Sequence, residues 1–337
     1  MAVLTATNPT LLDLAKRLDP DNKIATIVEI LNETNEVLDD MSWQEGNLPT
    51  GHRTTIRSGL PTPTWRKLYQ GVQPTKSTTV QVTDNTGMLE AYAEIDKALA
   101  DLSSNTGAFR LSEDRAFIEG ISQELAETIF YGNEGTEPEA FTGLAPRFNA
   151  LTGSANSDNV LDGGGSGSDN NSIWLVVWGP NTCHGIIPKG STAGLQMTDK
   201  GVVTIEDASG GSNTGRMEAY RTHYRFDAGL TVRDWRYIVR IANIDKSALA
   251  KAHGTGADLP DLMFQAMRLI PNLNAGRPAF YMSRDLASMV SRQVAVDGAS
   301  SFLTAESNQG DMRWTERFKG IPMRRCDALS ADEATIS

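Results

Sequence analysis

Apolar residues recur along this chain with two different periods. From Ala108 to Tyr131 the series Phe117, Ile121, Leu125 and Ile129 repeats at four-residue steps, flanked by Ile118 and Phe130. That is the stripe of an amphipathic helix, with Glu113, Asp114, Glu119, Glu124 and Glu127 on its other faces. Roughly 24 residues at about 1.5 Å each make a rod of roughly 36 Å. Gly132 is expected to end it. Helical spacing also marks two opening helices. Pro9 after Asn8 starts "TLLDLAKRL", and Ile24, Ile27, Val28, Leu31 and Val37 follow beyond Asp19-Pro20. Met88, Leu89, Tyr92, Ile95 and Leu99 predict a helix from Thr86 to Leu102. Pro260 opens another, which Pro271 bends or ends, and Ser283 caps "RDLASMVSRQVA".

The second period is two. Ile173 to Trp178 is apolar on both faces and reads as a buried strand. Tyr220, Thr222, Tyr224 and Phe226 alternate, as do Trp235, Tyr237, Val239 and Ile241, and "DAG" at Asp227 to Gly229 is the expected hairpin turn. "AFYM" predicts a strand, and the tail "RWTERFKGIPMRRCDAL" a strand pair turning at Gly320. From Trp43 to Thr83 the segment is proline-, threonine- and serine-rich and only weakly apolar. It is expected to be a long, projecting, β-rich loop whose edges attract other chains. Ser154 to Ser172, polar and glycine-rich, reads as a flexible connection, and "GPNTCHGIIPKGS" as a long surface turn. Helices and antiparallel strands are mixed without repeats, so the class is α+β.

Composition changes this picture in one respect. The 337 residues carry a formal net charge of -11, unlike a free DNA-binding protein. The charge is uneven. Ile24 to Gly51 holds acids and no Lys or Arg, whereas Arg216 to Arg240 and Arg313 to Arg325 are arginine-rich. These read either as solvated faces or as patches that meet between copies. No apolar run is long enough to cross a membrane, and the N-terminus lacks the pattern of a secretory signal. The two cysteines, Cys183 and Cys326, read as ordinary thiols.

Candidate chemistry is thin. A phosphate loop needs Gly-Lys-Ser/Thr after a first glycine, but in "GIIPKGS" Lys189 precedes the second glycine and Pro188 removes an N–H. "GSGSDN" and "GTGADL" each lack the final glycine of a dinucleotide loop, and "GGSGS" is not a serine elbow. Cys183 and His184 are sequence neighbours, so on a strand they point to opposite faces and do not form a catalytic pair. His52, His184, His223 and His253 are scattered and match no metal motif. No catalytic residue, cofactor or metal is expected. The alternative from another class is a cytosolic hydrolase with a site near His184 or His223.

The order of features is more informative. An acidic N-terminal arm leads to the projecting loop and the long helix. Gly132, Asn133, Gly135, Pro138, Gly143 and Leu144 then form a glycine-rich turn, with Glu134 as an extra residue. Gly320, Pro322 and Met323 stand near the C-terminus, and "NNSIWLVVWGPNTCHGIIPKGSTAGL" forms a distinctive middle block. This organisation resembles the major capsid proteins of tailed bacteriophages, the Hong Kong 97-type fold. The resemblance implies an arm at 1–42, a projecting loop at 43–85, a peripheral subdomain with the spine helix at 86–171, an axial subdomain at 172–304, and a return to the peripheral subdomain at 305–337. It implies self-assembly as pentamers and hexamers into an icosahedral virion shell around double-stranded DNA, held without sequence specificity. Assembly would take place in the bacterial host cytoplasm. About 42 residues before the loop are too few for a fused scaffolding segment, so a separate scaffolding protein is implied. A portal protein and a decoration or cement protein are further expected partners, and no membrane is. Trp65 and Tyr69 on the loop, and Arg233, Arg236, Arg324 and Arg325, are the candidate assembly contacts. An encapsulin-like compartment shell is the alternative within the fold.

Overall fold

The computed structural model describes residues 35–102, 105–206, 215–251, 256–296, 303–307, 314–329 and 332–337. The two opening helices lie outside the described residues, except for a short helical turn at Val37–Asp40. In chain order the strands are β1 (Trp43–Glu45), β2 (Gly51–Gly59), β3 (Thr78–Asp96), β4 (Val160–Asp162), β5 (Asn170–Trp178), β6 (Cys183–Ile187) and β7 (Gln196–Glu206). Then come β8 (Arg216–Val232), β9 (Ile238–Asp245), β10 (Arg277–Met282), β11 (Leu303–Ser307), β12 (Trp314–Phe318) and β13 (Ile321–Arg325). The main helices are Thr106–Tyr131, Leu259–Leu269 and Arg284–Val296. The mixture is α+β, as expected.

The chain divides into two compact units. One contains Met88–Glu127 and the described part of Thr192–Asp227. Here β7 and β8 pair antiparallel from Gln196↔Arg225 to Glu206↔Arg216. Ala93, Ile121 and Tyr224 form an apolar cluster joined by Leu89, Ala91, Phe117 and Phe226. The four-residue stripe of the long helix is therefore real: Ile121, Leu125 and Ile129 are buried and Phe117 is half-buried.

The other unit holds Glu36–Gly87, Thr128–Ser191 and the described part of Ala228–Ser337. Its sheet is mixed. Strand β5 lies between β10 and β9, antiparallel to both. Beyond β10 lies β13, parallel, and beyond β9 lies β4, also parallel. One face of β5 (Ile173, Leu175, Val177) packs against Met263 and Ala266 of one helix and Leu286 and Val290 of the other. Every residue of β5 is buried, which is why its sequence shows no alternation. The tail pair turns at Gly320, whose φ of 87° suits glycine.

Four expectations are corrected. The predicted helix from Thr86 to Leu102 is strand β3 as far as Asp96, and only Lys97–Leu102 is helical. Leu89, Ala91, Ala93 and Ile95 alternate inward, while Met88 and Tyr92 are exposed, so the period was two. The hairpin turn at Asp227 to Gly229 does not exist. Strand β8 runs straight through it, pairing first with β7 and then, over Gly229–Val232, with β6. Gly229 is there for a close approach: a Cβ would lie 2.8 Å from the carbonyl oxygen of Asn85. The glycine run is not a free connection either. The amides of Gly163 and Gly165 donate to the carbonyls of Ala242 and Asn243, alongside β4 pairing with β9. The supposed surface turn around Cys183 contains the fully buried strand β6. The first correction is one of period; the other three share a cause, since small or polar residues that suggest exposure are covered by tertiary partners.

The glycine-rich turn after the long helix is a packing device. Gly143 donates to the carbonyl of Gly132 and Leu144 to that of Ile129, so the chain returns against the helix end. A Cβ on Gly143 would lie 2.5 Å from the carbonyl oxygen of Thr128 and 2.7 Å from that of Ile129. Gly143→Ala is expected to lower stability by about 2–3 kcal/mol. Gly120→Ala, at an exposed mid-helix position with open space around it, is expected to raise stability by about 0.5–1 kcal/mol. Thermal unfolding of the two variants checks the pair, and equal effects would refute this account.

Candidate assembly surfaces

Strands β2 and β3 form a projecting hairpin, registered from Gly51↔Asn85 to Gly59↔Thr78 with an irregularity at Arg57/Gly59. Threonines and valines dominate its facing strands, and they suit an extended ribbon. From Leu60 to Val80 every residue is exposed. Trp65 and Tyr69 have relative exposures of 104% and 105%, and Leu60 and Leu68 are similarly bare. Tyr69 also has a φ of 67°, a conformation that costs energy in a non-glycine residue. No Asp or Glu occurs from Gly46 to Thr83, whereas Arg53, Arg57, Arg66, Lys67 and Lys76 do. The tip is thus aromatic and cationic together.

The hairpin is anchored at its root. Arg147 pairs with the buried Asp84 at 2.8 Å and also donates to the carbonyls of Thr142, Gly143 and Leu230. Strand β6 runs beside β8 and parallel to β1, where the Trp43 ring covers Gly185. Burial, partly offset by Arg147, raises the pKa of the Cys183 thiol far above its ordinary value, so it stays a thiol. His184 is fully buried, and burial, His52 and Arg233 lower its pKa to about 4. His223 lies in the other unit, 3.2 Å from Glu90 and stacked on Tyr92. The two histidines named for hydrolysis therefore belong to separate surroundings, one fully buried and one beside the Glu90 carboxylate and the Tyr92 ring.

The candidate arginines differ from one another. Arg233 donates to the carbonyl of Pro180. Arg236, exposed, makes a fork to Asp234, which raises its pKa. Arg324 bonds Asp40 through Nε and Nη2, each at 2.9 Å, and Glu36 through Nη1 at 2.9 Å. Burial opposes its charge, but these two carboxylates keep its pKa above the ordinary value. The acidic arm and the basic tail thus meet within one chain. Arg325, next along β13, is exposed. In the arginine-rich stretch Arg216 to Arg240, Arg221 pairs with Glu94, Arg225 with Asp227, and Arg240 with Glu333.

Two features escaped the sequence. The first is an open apolar groove of about 340 Å³ between β3 and the long helix, lined by Leu89, Ala91, Phe117 and Ile121 with Glu90 and Glu124. The second is a buried ionic network at the C-terminus. Glu333 accepts from Arg240 at 2.7 Å, from Tyr131 at 2.6 Å and from Ser172. Arg240 also donates to Ser172 and to the carbonyl of Phe148, and its guanidinium lies 5.0 Å from the Trp174 ring centroid. Lone charges far apart in sequence give no signal of such a network.

A shell-forming α+β subunit is the class that this fold and its projecting hairpin fit, and the comparisons agree. The profile of the family described as Major capsid protein GP7 matches residues 19–337, and the chain belongs to that family. It is similar to the near-atomic structure of bacteriophage Epsilon15, with 38% identity, all of both chains covered and a TM-score of 0.75. The capsid of bacteriophage JBD30 matches at 10% identity over 89% of this chain and 92% of that one, with a TM-score of 0.46. The SrpI encapsulin of Synechococcus elongatus PCC 7942 matches at 8% identity over 65% and 91%, with a TM-score of 0.43. No curated protein matches. The chain is a major capsid protein, a structural component of a phage virion shell. The encapsulin and hydrolase alternatives yield to that full-length match.

Proposed function

We propose that copies of this subunit assemble as pentamers and hexamers into an icosahedral shell around double-stranded DNA. The observation that carries this reading is the hairpin tip, where Trp65 and Tyr69 are fully exposed. Exposed aromatics on a charged loop are the residue types that become buried anchors at interfaces. The tip lies across a neighbouring copy, in the segment 43–85. The apolar groove with Glu90 and Glu124 is chemically suited to receive it, since the tip brings Arg66 and Lys67. Segment 86–171 then serves as the peripheral subdomain, 172–304 as the axial one, and 305–337 as the return. Arg233, Arg236 and Arg325 are the remaining cations for contacts between copies. Arg324 contributes by fixing the arm to the tail.

Assembly takes place in the host cytoplasm on a separate scaffolding protein, with a portal protein at one vertex and a decoration or cement protein outside. The net charge of -11 keeps non-specific hold on the packaged genome weak. Electron microscopy of the protein expressed with its scaffold tests the whole reading. Closed shells built from rings of five and six are the expected result. A monodisperse monomer across a range of salt would overturn it.

A further inference from the structure

At the root of the hairpin two histidines face each other. His184 of β6 is fully buried and sits opposite Thr231 of β8. The ring of His52, from β2, stands edge-on to it with centroids 5.9 Å apart. Among the described residues neither nitrogen of His184 makes a well-formed hydrogen bond, although the Gly179 backbone lies near enough to favour its proton slightly, and Nδ1 of His52 and the buried hydroxyls of Ser42, Thr54 and Thr231 have no partner. Buried polar atoms are ordinarily satisfied, so a group of orphans at one junction calls for a reason. A neutral imidazole tolerates such surroundings far better than an imidazolium does.

The charges around the pair favour the neutral form. Arg233 lies close enough to disfavour a proton on either ring. Asp84, opposite His52 on β3, is the nearby acid, but Arg147 already holds it at 2.8 Å. Cys183, the next residue on β6, is an uncharged thiol. A proton on His184 would therefore meet both His52 and Arg233, and one on His52 would meet Arg233, with Asp84, already held by Arg147, offsetting it only in part.

We propose that His52 and His184 form a proton-operated latch that holds the hairpin root on β6 at neutral pH and releases it in acid. The inference rests on the root and not on where the tip docks. Burial and, after it, Arg233 lower the pKa of His52, and His184 is lowered to about 4. A histidine freed to solvent titrates near 6.5, so the open state binds the proton first. Closure is then fully favoured above about pH 6.5 and weakens as pH falls towards 4, by up to about 100-fold for His184.

Hydrogen exchange of the full chain between pH 7 and 4.5, corrected for intrinsic rates, tests this. In the wild type, peptides over Gly51–Gly59 and Cys183–Ile187 should lose protection at least 10-fold on acidification. Peptides over Arg277–Met282 should hold. His184→Leu removes the more strongly shifted group at similar volume, and its root protection should lose most of its pH dependence, leaving the part due to His52. His52→Leu should weaken the response, and His184→Gln keeps a polar, uncharged control should the leucine variant misfold. Wild-type protection that does not change overturns the latch. So does an equal acid loss in the wild type and in every folded variant.

Discussion

Replacing Glu333 with alanine should remove a large part of this subunit's stability and lower its soluble yield. The carboxylate is buried with Arg240 at side-chain exposures of 6% and 5%, and it also receives Tyr131 and Ser172. Among the described residues, removing it leaves a guanidinium in the core with Ser172, the Phe148 carbonyl and the Trp174 ring. Breaking a buried ion pair from one side costs about 3–5 kcal/mol. A domain's whole margin is about 5–15 kcal/mol, so the loss is a large part of it. The tail keeps its other bonds in this variant: the Glu333 amide donates to the Asn170 carbonyl, Ile336 exchanges bonds with the Asn243 side chain, and Leu151 donates to Ser337. Chemical denaturation checks the size. The double variant Glu333→Leu with Arg240→Met should recover much of the loss, because it removes both charges. A double variant no better than Glu333→Ala would mean that the charge pair is not the cause.

The second large effect is on assembly and should leave the subunit intact. Trp65→Ser with Tyr69→Ser changes two side chains that are fully bare in the single chain, so the melting temperature should move by less than a degree or two. If the tip is a buried anchor between copies, losing about 2 kcal/mol per contact raises the concentration needed for assembly roughly 30-fold. Sedimentation and electron microscopy would then find free subunits where the wild type forms shells. Shells at the wild-type threshold would remove the tip from the interface. Charge reversal at Arg66 and Lys67 should weaken assembly less, and more so at low salt, because exposed charges are screened.

Much of this protein was determined by its sequence alone. The four-residue stripe of the long helix requires one buried face whatever it packs on, and Ile121, Leu125 and Ile129 supply it. The unbroken apolar run of β5 requires cover on both sides, and it has it. Prolines, threonines and serines between Trp43 and Thr83 leave too little apolar surface for a local core, and Leu60 to Val80 are exposed. The order of these features, with the glycine-rich turn and the middle block, was enough to indicate the family. Tertiary structure decided the rest. Period two and period four share positions over a short window, so only the partner face made Met88 to Ile95 a strand. A "DAG" sequence turns only if nothing pairs beyond it, and β6 pairs there. Arg324 and the acidic arm could have met between copies, but the fold brings Glu36 and Asp40 onto Arg324 within one chain. Glu333 and Arg240, and His52 and His184, are far apart in sequence. Isolated ionisable residues carry no pattern, so only the folded chain reveals which of them meet and which are left without partners.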